Sequence, residues 1–323
     1  MCGIIGYVGA KPALPVILNG LRRLEYRGYD SAGVALVRAG GLERRRTAGK
    51  LARLEESLDL ESVEGDYGVG HTRWATHGRP TEENAHPHVD CKGRLVVVHN
   101  GIIENYLDLK RELEGEGHTF VTETDTETIA HLVEREMRDD GLAGAVRRAL
   151  PALQGLFALV VVSVDDPGTI VAARSGPPIV IGVGDGEYLV ASDIPAVLSH
   201  TRDIVFLGDR EVAVVRRDGA TYSDFEGTPR ALEPQRVAWD AVMAEKAGYK
   251  HFMQKEIFEQ PNAIQETLLG RISLEAGDVF PGELGISEEA LRRIDRIAIV
   301  ACGTSWHAGL VGKFLFEQLA RLP

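Results

Sequence analysis

A cysteine at position 2 has the clearest chemical potential in this sequence. Removal of Met1 would give Cys2 both a thiol and a free α-amino group. Because the ordinary pKa values are about 8.5 for the thiol and about 7.7–8.0 for the amine, the amine can accept the thiol proton. One residue would then supply a nucleophile and its base. Cys2 also fits a buried cysteine at the start of a strand, and taken alone it favours that interpretation.

Two neighbouring residues offer hydrogen-bond donors to a developing negative charge. Asn100 has a side-chain NH₂ group and Gly101 an unobstructed backbone N–H, directly after the β-branched run 95–98. Fixed donors of this kind stabilise the oxyanion of an acyl-transfer reaction. Asn-Gly after such a run is also the commonest hairpin turn signal, and a tight turn can present the same donors.

A charged pair could hold an amino-acid substrate. The guanidinium of Arg73 suits a carboxylate, which it can bind bidentately, and the carboxylate of Asp125 suits an ammonium group. Structural alternatives stay open for both residues. Arg73 also fits a surface ion pair, and Asp125 also fits a first-turn carboxylate favoured by the helix dipole.

Several histidines raise the question of a metal site. His71, His77, His86 and His88 lie within eighteen residues, and Cys91 follows three residues later. Zinc uses such ligands, but these spacings match no standard zinc pattern. We therefore expect no metal here.

The elements that would position these residues mix helices with strands. Apolar runs predict strands, and helical spacing of apolar residues predicts helices, the first of them opened by Pro12. Thr124 and Glu127 have the spacing of a capping box. The predicted strands are 3–8, 33–37, 68–71, 95–98, 156–164, 170–174, 179–182, 188–191 and 211–215, and the predicted helices after the first are 51–60, 104–114 and 126–138.

The composition changes near residue 226 and suggests a second domain. The stretch 226–247 is polar and holds two prolines, which indicates a linker. A helix follows that Pro261 should kink or divide. We then expect a strand over 296–301, a turn over 302–305 and a helix over 306–319, too little for a complete doubly wound sheet.

Composition and charge exclude several classes of protein. The 323 residues include 36 Lys and Arg against 48 Asp and Glu, a net charge of −12 that disfavours nucleic-acid binding. The longest apolar run is far too short to span a membrane. Three scattered cysteines indicate no disulfide framework, and we expect a cytoplasmic location.

A series of motifs carries a family resemblance. The opening MCGIIG resembles the start of the class II glutamine amidotransferases, whose N-terminal cysteine attacks the side-chain amide of glutamine. The further motifs resemble, in order along the chain, those of the glutamine–fructose-6-phosphate aminotransferase family. They are residues 26–33 (YRGYDSAG), 71–78 (HTRWATHG), 84–88 (NAHPH), 99–105 (HNGIIEN), 123–127 (ETDTE), 253–261 (MQKEIFEQP) and 301–305 (ACGTS).

The resemblance implies a role for each matching residue. Cys2 would be the nucleophile, Asn100 and Gly101 the oxyanion hole, and Arg73 with Asp125 the clamp on glutamine. Trp74 would gate an ammonia channel, Thr76 and His77 would lie in the substrate loop, and Arg27 would organise the site. The implied part of a sugar-phosphate site is Gly303, Thr304 and Ser305.

The same resemblance implies a fold and an activity. Residues 1–240 would form an α+β, N-terminal-nucleophile αββα sandwich, and residues 241–323 a linker with an incomplete αβα sugar isomerase (SIS) segment. The sandwich would release glutamate and ammonia from glutamine, without a cofactor. In the full-length protein, a homodimer, the ammonia would serve amino-sugar synthesis from fructose 6-phosphate. A non-catalytic sugar-phosphate-binding fragment and a different class II amidotransferase remain alternatives.

Overall fold

The computed structural model describes residues 2–38, 41–58, 65–238, 249, 252–268, 272–273, 277–279 and 287–323. The chain divides into two compact units, Met1–Gly248 and Tyr249–Pro323. The helices of the first unit are α1 (Ala13–Leu24), α2 (Leu51–Ser57), α3 (Tyr106–Gly115), α4 (Thr126–Glu136) and α5 (Gly141–Ala149). Its strands are β1 (Gly3–Val8), β2 (Ser31–Arg38), β3 (Gly41–Ala48), β4 (Tyr67–Arg73), β5 (His88–Val89), β6 (Leu95–Ile103), β7 (Gly155–Ser163), β8 (Ile170–Ser175), β9 (Val180–Val183), β10 (Tyr188–Ala191), β11 (Asp203–Phe206), β12 (Glu211–Arg216), β13 (Gly219–Asp224), β14 (Pro229–Arg230) and β15 (Gln235–Arg236).

Two antiparallel sheets form the centre of the first unit. The eight-stranded sheet has the order β15-β11-β9-β10-β1-β4-β2-β3, and the seven-stranded sheet has the order β14-β13-β12-β8-β7-β6-β5. Strand β1 pairs with β4 on one side and with β10 on the other, so the start of the chain is held in the middle of its sheet.

Side chains alternate between two apolar layers along the central strands. In β7, Leu159 packs in a cluster with helices α3, α4 and α5, while Val160 packs between the two sheets. In β1, Ile5 faces helix α1 and Ile4 faces the other sheet. Both faces of these strands are buried, which is why their sequences read as continuous apolar runs. The order helix, sheet, sheet, helix confirms the predicted αββα sandwich.

The central strands match the sequence-based predictions closely, and the peripheral ones do not. Strands β3, β11 and β13 were not predicted, since they are partly exposed and carry a mixed pattern. Helix α5 was also missed. The turn interpretation of Asn100-Gly101 is wrong, because both residues lie inside β6, paired with Ala158 and Phe157 of β7.

The described residues of the second unit are mainly helical. They form α6 (Phe252–Leu268), β16 (Ile272–Ser273), β17 (Asp278–Val279), α7 (Glu288–Leu291), α8 (Gly303–Leu315) and a π-helical turn (Phe316–Ala320). Pro261 lies inside α6, which continues through it undivided. Among the helices of the described residues, none combines the length and apolarity needed to cross a bilayer.

Two predictions for the second unit are wrong in detail. Residues 296–301 form no strand, because no neighbouring strand among the described residues supplies backbone hydrogen bonds. Gly303, Thr304 and Ser305 form the first turn of α8 and not a separate turn before it. Residues 239–247 of the proposed linker lie outside the described residues, so the domain boundary at residue 240 stays a prediction.

The core of the sandwich can be tested within one strand. We expect Leu159→Ala to lower the free energy of unfolding by about 2–5 kcal/mol, since it removes a fully buried side chain. Leu156→Ala on the same strand is the matched control, because Leu156 is 61% exposed. Denaturant unfolding of both variants checks this, and equal losses would contradict the layer assignment.

Candidate active site

One cavity brings together most of the residues singled out from the sequence. It has a volume of about 450 Å³, within the usual size for a small-molecule site. The residues that line it and were predicted from the sequence as site residues are Cys2, Arg27, Arg73, Trp74, Thr76, Asn100, Gly101 and Asp125. The lining residues that the sequence analysis missed are His86, His99, Ile102, Thr126, Pro177 and Pro178. Predicted residues Gly303, Thr304 and Ser305 are exposed and belong to the second unit.

The position of Cys2 follows from the pairing of β1. Gly3 pairs with Thr72 of β4, and a Cβ on Gly3 would lie 2.6 Å from the Leu24 Cβ and from the Thr72 Oγ1. This close approach places Cys2 at the end of β4, where the Trp74 backbone N–H donates to the Cys2 Sγ at 3.1 Å. Burial raises the pKa of the Cys2 thiol, against the smaller opposing effects of the Trp74 N–H and Arg73. A thiol whose pKa is raised needs a nearby base before it can act as a nucleophile.

The amide of Asn100 is held in one orientation by His71. The His71 Nε2 lies 3.0 Å from the Asn100 Oδ1 and 3.1 Å from the His99 carbonyl oxygen. Because both partners are acceptors, Nε2 carries the proton and donates to them. Burial lowers the pKa of His71 to about 3, so the ring is neutral at pH 7. The Asn100 Nδ2 therefore points the other way and donates to the Cys2 carbonyl oxygen at 3.0 Å.

Position 101 requires glycine. The φ angle of Gly101 is +130°, a conformation that side chains rarely adopt. A Cβ there would also lie 2.0 Å from the Leu156 carbonyl oxygen of the paired strand. The residue therefore breaks the regular geometry of β6 beside Asn100, where the strand reaches the cavity.

Arg73 ends β4 and holds the loop that follows it. Its guanidinium donates to the carbonyl oxygens of His77, Gly78 and Arg79, the last two at 3.2 Å. The side chain is buried, and burial lowers its pKa against the raising effects of Asp30 and other anionic groups. Three of the five guanidinium N–H donors are thus used by the loop, which leaves at most two for a ligand carboxylate.

Asp125 connects helix α4 to the end of β6. Its carboxylate accepts from the Ile103 backbone N–H at 2.9 Å, and the side chain is buried. The predicted capping box is wrong, because Asp125 occupies the N-cap position and makes no side-chain cap. Glu127 instead accepts from the backbone N–H groups of Val121 and Thr122 in the preceding loop.

The other predicted residues differ in exposure. Trp74 is 49% exposed and meets Tyr29 edge to face at 5.5 Å. His77 is not among the residues that line the cavity, and its ring packs against Tyr106. Arg27 is buried and donates to the Asp193 carboxylate at 2.7 Å and to the Ser192 carbonyl oxygen, so it ties the segment after α1 to the end of β10.

A cluster of four buried histidines borders the cavity, and two of them, His86 and His99, line it. His71 stacks on His86 at 4.1 Å, and His86 meets His88 at 4.7 Å. The Thr126 hydroxyl connects the rings of His86 and His99. Burial lowers the pKa of all four histidines, Arg73 lowers the pKa of three of them further, and Asp125 opposes the lowering at His99. Their low pKa values keep these rings neutral at pH 7, and their sequence spacing did not reveal this cluster.

The histidines weighed as metal ligands do not meet Cys91. Within the described ranges, a different group of His, Cys, Asp and Glu residues has ligand atoms close enough together to hold a metal ion: Cys91, His118, His131 and Glu134. Three of these four residues were not considered from the sequence, because they are far apart along the chain.

The buried histidines predict a dependence of stability on pH. The unfolded chain binds protons on these rings below about pH 6.5, whereas the folded chain does not, so stability is present above that pH and is lost as the pH falls. We expect His71→Asn to reduce the slope of unfolding free energy against pH, between pH 6.5 and 5, by up to about 1.4 kcal/mol per pH unit. The exposed His307→Asn is the control. Denaturant unfolding at several pH values measures both slopes, and an unchanged slope in His71→Asn would contradict a neutral buried ring.

Comparison with known proteins gives concordant matches. Residues 71–199 match the family described as "Glutamine amidotransferase domain". The glutamine--fructose-6-phosphate aminotransferase [isomerizing] of Clostridium tetani is 50% identical over 323 residues, which is all of this chain and 53% of that protein. The enzyme of the same name from Mycobacterium tuberculosis (strain CDC 1551 / Oshkosh) is 50% identical over 335 residues, again 53% of its length. The chain spans about half the length of the curated relatives it matches.

Two solved structures share the fold at lower identity. Glutamine phosphoribosylpyrophosphate (PRPP) amidotransferase from B. subtilis, complexed with ADP and GMP, has a TM-score of 0.61 and 27% identity. A structure of the allosteric regulatory enzyme of purine biosynthesis has a TM-score of 0.62 and 27% identity. Each match includes 69% of this chain and 49% of the length of the solved structure. Residues 71–199 are thus similar to the glutamine amidotransferase domain, and the whole chain is similar to about half the length of the glutamine--fructose-6-phosphate aminotransferases.

Proposed function

We propose that this chain hydrolyses L-glutamine to glutamate and ammonia, with Cys2 as the nucleophile. The observation that carries the proposal is the position of the Cys2 Sγ in the wall of a cavity that Asn100, Arg73 and Asp125 also line. The amidotransferase match over residues 71–199 supports glutamine as the substrate. Residues 1–240 would form the domain that carries this activity.

The reaction proceeds in two balanced steps. The Cys2 Sγ bonds to the amide carbon, and the carbonyl electron pair moves to oxygen. The thiol proton passes through the α-amine, freed by removal of Met1, to the leaving nitrogen, the C–N bond breaks, and ammonia departs. Water then adds to the thioester, the C–S bond breaks, and glutamate and the Cys2 thiol are released. Because burial raises the pKa of this thiol, an adjacent base is needed for the first step.

Asn100 and Gly101 stabilise the tetrahedral oxyanion in this proposal. The Asn100 NH₂ group has two donors, and the bond to the Cys2 carbonyl oxygen uses one of them. The second donor and the Gly101 backbone N–H are available to the oxygen of the bound amide. His71 acts as a positioning residue, since its bond to the Asn100 Oδ1 determines which end of the amide faces the substrate.

The ends of glutamine are recognised by opposite charges. Arg73 binds the α-carboxylate through the guanidinium donors that the loop does not use, and Asp125 binds the α-ammonium group. The exposed Trp74 and Thr76 belong to the loop that covers the substrate, together with His77. Arg27 organises the site through its ion pair with Asp193.

The released ammonia serves a sugar phosphate in the full-length protein. The curated relatives are named for fructose 6-phosphate, and they match the whole of this chain at about 50% identity, against 27% over 69% of the chain for the PRPP amidotransferase. We therefore favour fructose 6-phosphate as the acceptor. Gly303, Thr304 and Ser305 at the start of α8 would contribute to its phosphate site, in a homodimer that acts in the cytoplasm.

Cys2 gives the decisive test of this proposal. We expect Cys2→Ser to reduce glutamate release from glutamine to the level of the buffer blank, because the nucleophile is lost. Cys302→Ser, which changes an exposed cysteine of the second unit, should retain the activity. Intact mass must show that Met1 is absent. Retained turnover in Cys2→Ser, or no turnover in the parent chain lacking Met1, would refute the proposal.

Asn100 tests the oxyanion hole separately from binding. We expect Asn100→Ala to lower kcat for glutamine hydrolysis by about 10²–10³-fold, since its donor acts on the charge of the transition state. The KM for glutamine should change much less. Steady-state kinetics measures kcat and KM separately. A change in KM alone would contradict this role and would mean that Asn100 only binds the substrate in its ground state.

A further inference from the structure

Four ligand atoms converge at one point beside helix α4, apart from the cavity. They are the Cys91 Sγ, the His118 Nδ1, the His131 Nδ1 and a carboxylate oxygen of Glu134, all within 4.8 Å of one another. Cys91 lies in the turn between β5 and β6, His118 follows α3, and His131 and Glu134 lie one turn apart on the same face of α4. We propose that these four residues bind one Zn²⁺ ion.

The distances between the ligand atoms suit tetrahedral zinc. With Zn–S about 2.3 Å and Zn–N or Zn–O about 2.0–2.1 Å, tetrahedral ligands stand about 3.5 Å (S to N) and about 3.3 Å (N to O) apart. The Cys91 Sγ lies 3.6 Å from the His118 Nδ1 and 3.5 Å from the His131 Nδ1. The Glu134 Oε2 lies 3.0 Å and 3.3 Å from the same two nitrogens.

The charges of the four ligands balance the ion. One thiolate and one carboxylate neutralise Zn²⁺, and the two imidazoles bind in their neutral form. Neutrality matters here because His131 is fully buried, with 1% of its side chain exposed, and Glu134 is 10% exposed. Burying an uncompensated charge at such a position would be costly.

The surroundings of the cluster resemble the outer shell of a metal site. The Thr119 backbone N–H donates to the Cys91 Sγ at 3.4 Å, and the Cys91 backbone N–H donates to the Glu134 Oε2 at 3.1 Å. The Glu127 Oε1 lies 3.8 Å from the His131 Nε2, the ring nitrogen that would not bind the metal. A carboxylate on that side orients a metal-binding imidazole and raises its basicity.

A site with four protein ligands is closed to substrate and therefore structural. The ion would join the turn after β5 to α4 and would close the segment from His118 to His131. Asp125 lies inside that segment, so the same ion would restrict the backbone that carries it. The inference rests on the geometry of these four residues and is independent of the proposed glutamine hydrolysis.

Metal content and cobalt spectroscopy test the site directly. We expect the purified chain, dialysed against metal-free buffer, to retain about one equivalent of zinc by elemental analysis. After removal of zinc with a chelator, Co²⁺ should restore one equivalent and give the intense visible bands of four-coordinate cobalt with a thiolate charge-transfer band. Zinc should also raise the Tm of the stripped chain in a concentration-dependent way.

Variants assign the metal to these residues. Cys91→Ser and His118→Asn should each weaken zinc binding by at least about tenfold. Cys91→Ser should also abolish the thiolate charge-transfer band of the cobalt form, and His118→Asn should alter it. Cys302→Ser is the matched control and should keep the zinc and the spectrum, since Cys302 lies in the second unit. Circular dichroism verifies the fold of each variant.

Three results would overturn the proposal. The first is that the parent chain binds neither Zn²⁺ nor Co²⁺ at one equivalent, in which case the four residues form only a hydrogen-bonded network. Another is zinc that survives unchanged in both folded variants, which would place the metal elsewhere. The third is a cobalt spectrum without thiolate charge transfer in the parent chain, a result that needs no variant to fold.

Discussion

Burial of the central strands on both faces is the constraint on which the rest of the first unit depends. Two antiparallel sheets pack face to face, and helices cover their outer faces, so β1 and most of β6 and β7 are buried on both sides. Polar chemistry can therefore occur only where these strands end. Cys2 precedes β1, Arg73 ends β4, and Asn100 and Gly101 lie near the end of β6, which explains why one cavity collects them.

The polar groups next to this core remain neutral or internally bonded. Four histidines stand between the strands and the start of α4, and burial keeps their pKa values low. A neutral imidazole can donate from one nitrogen only, and this property orients the Asn100 amide toward Cys2. The geometry of the proposed oxyanion hole thus depends on a residue, His71, that does not line the cavity.

Loops supply the remaining groups, and each loop is held by a specific side chain. Arg73 binds the carbonyl oxygens of the loop after β4. Glu127 binds the backbone of the loop before α4, and the proposed zinc site would hold the same loop from its other side. Since both loops flank the cavity, their restraint limits the entropy lost when a substrate is bound.

The sequence by itself determined the central strands, most helices of the first unit and the eight predicted residues that meet in the cavity. The strands were predictable because continuous apolar runs leave little choice of conformation, and the site residues because their motifs resemble a known family. The peripheral strands β3, β11 and β13 were not predictable, since their side chains are only partly buried.

Only the tertiary structure decided how residues that are distant in sequence interact. The Asn-Gly pair at residues 100–101 reads as a turn, yet pairing with β7 and a φ of +130° at Gly101 keep it within a strand. The capping box predicted at Thr124 does not form, because Glu127 accepts hydrogen bonds from backbone N–H groups of the preceding loop and not from the helix end. Cys91, His118 and His131 come together only through the packing of α4 against the turn after β5, because sequence spacing carries no information on contacts between separate elements.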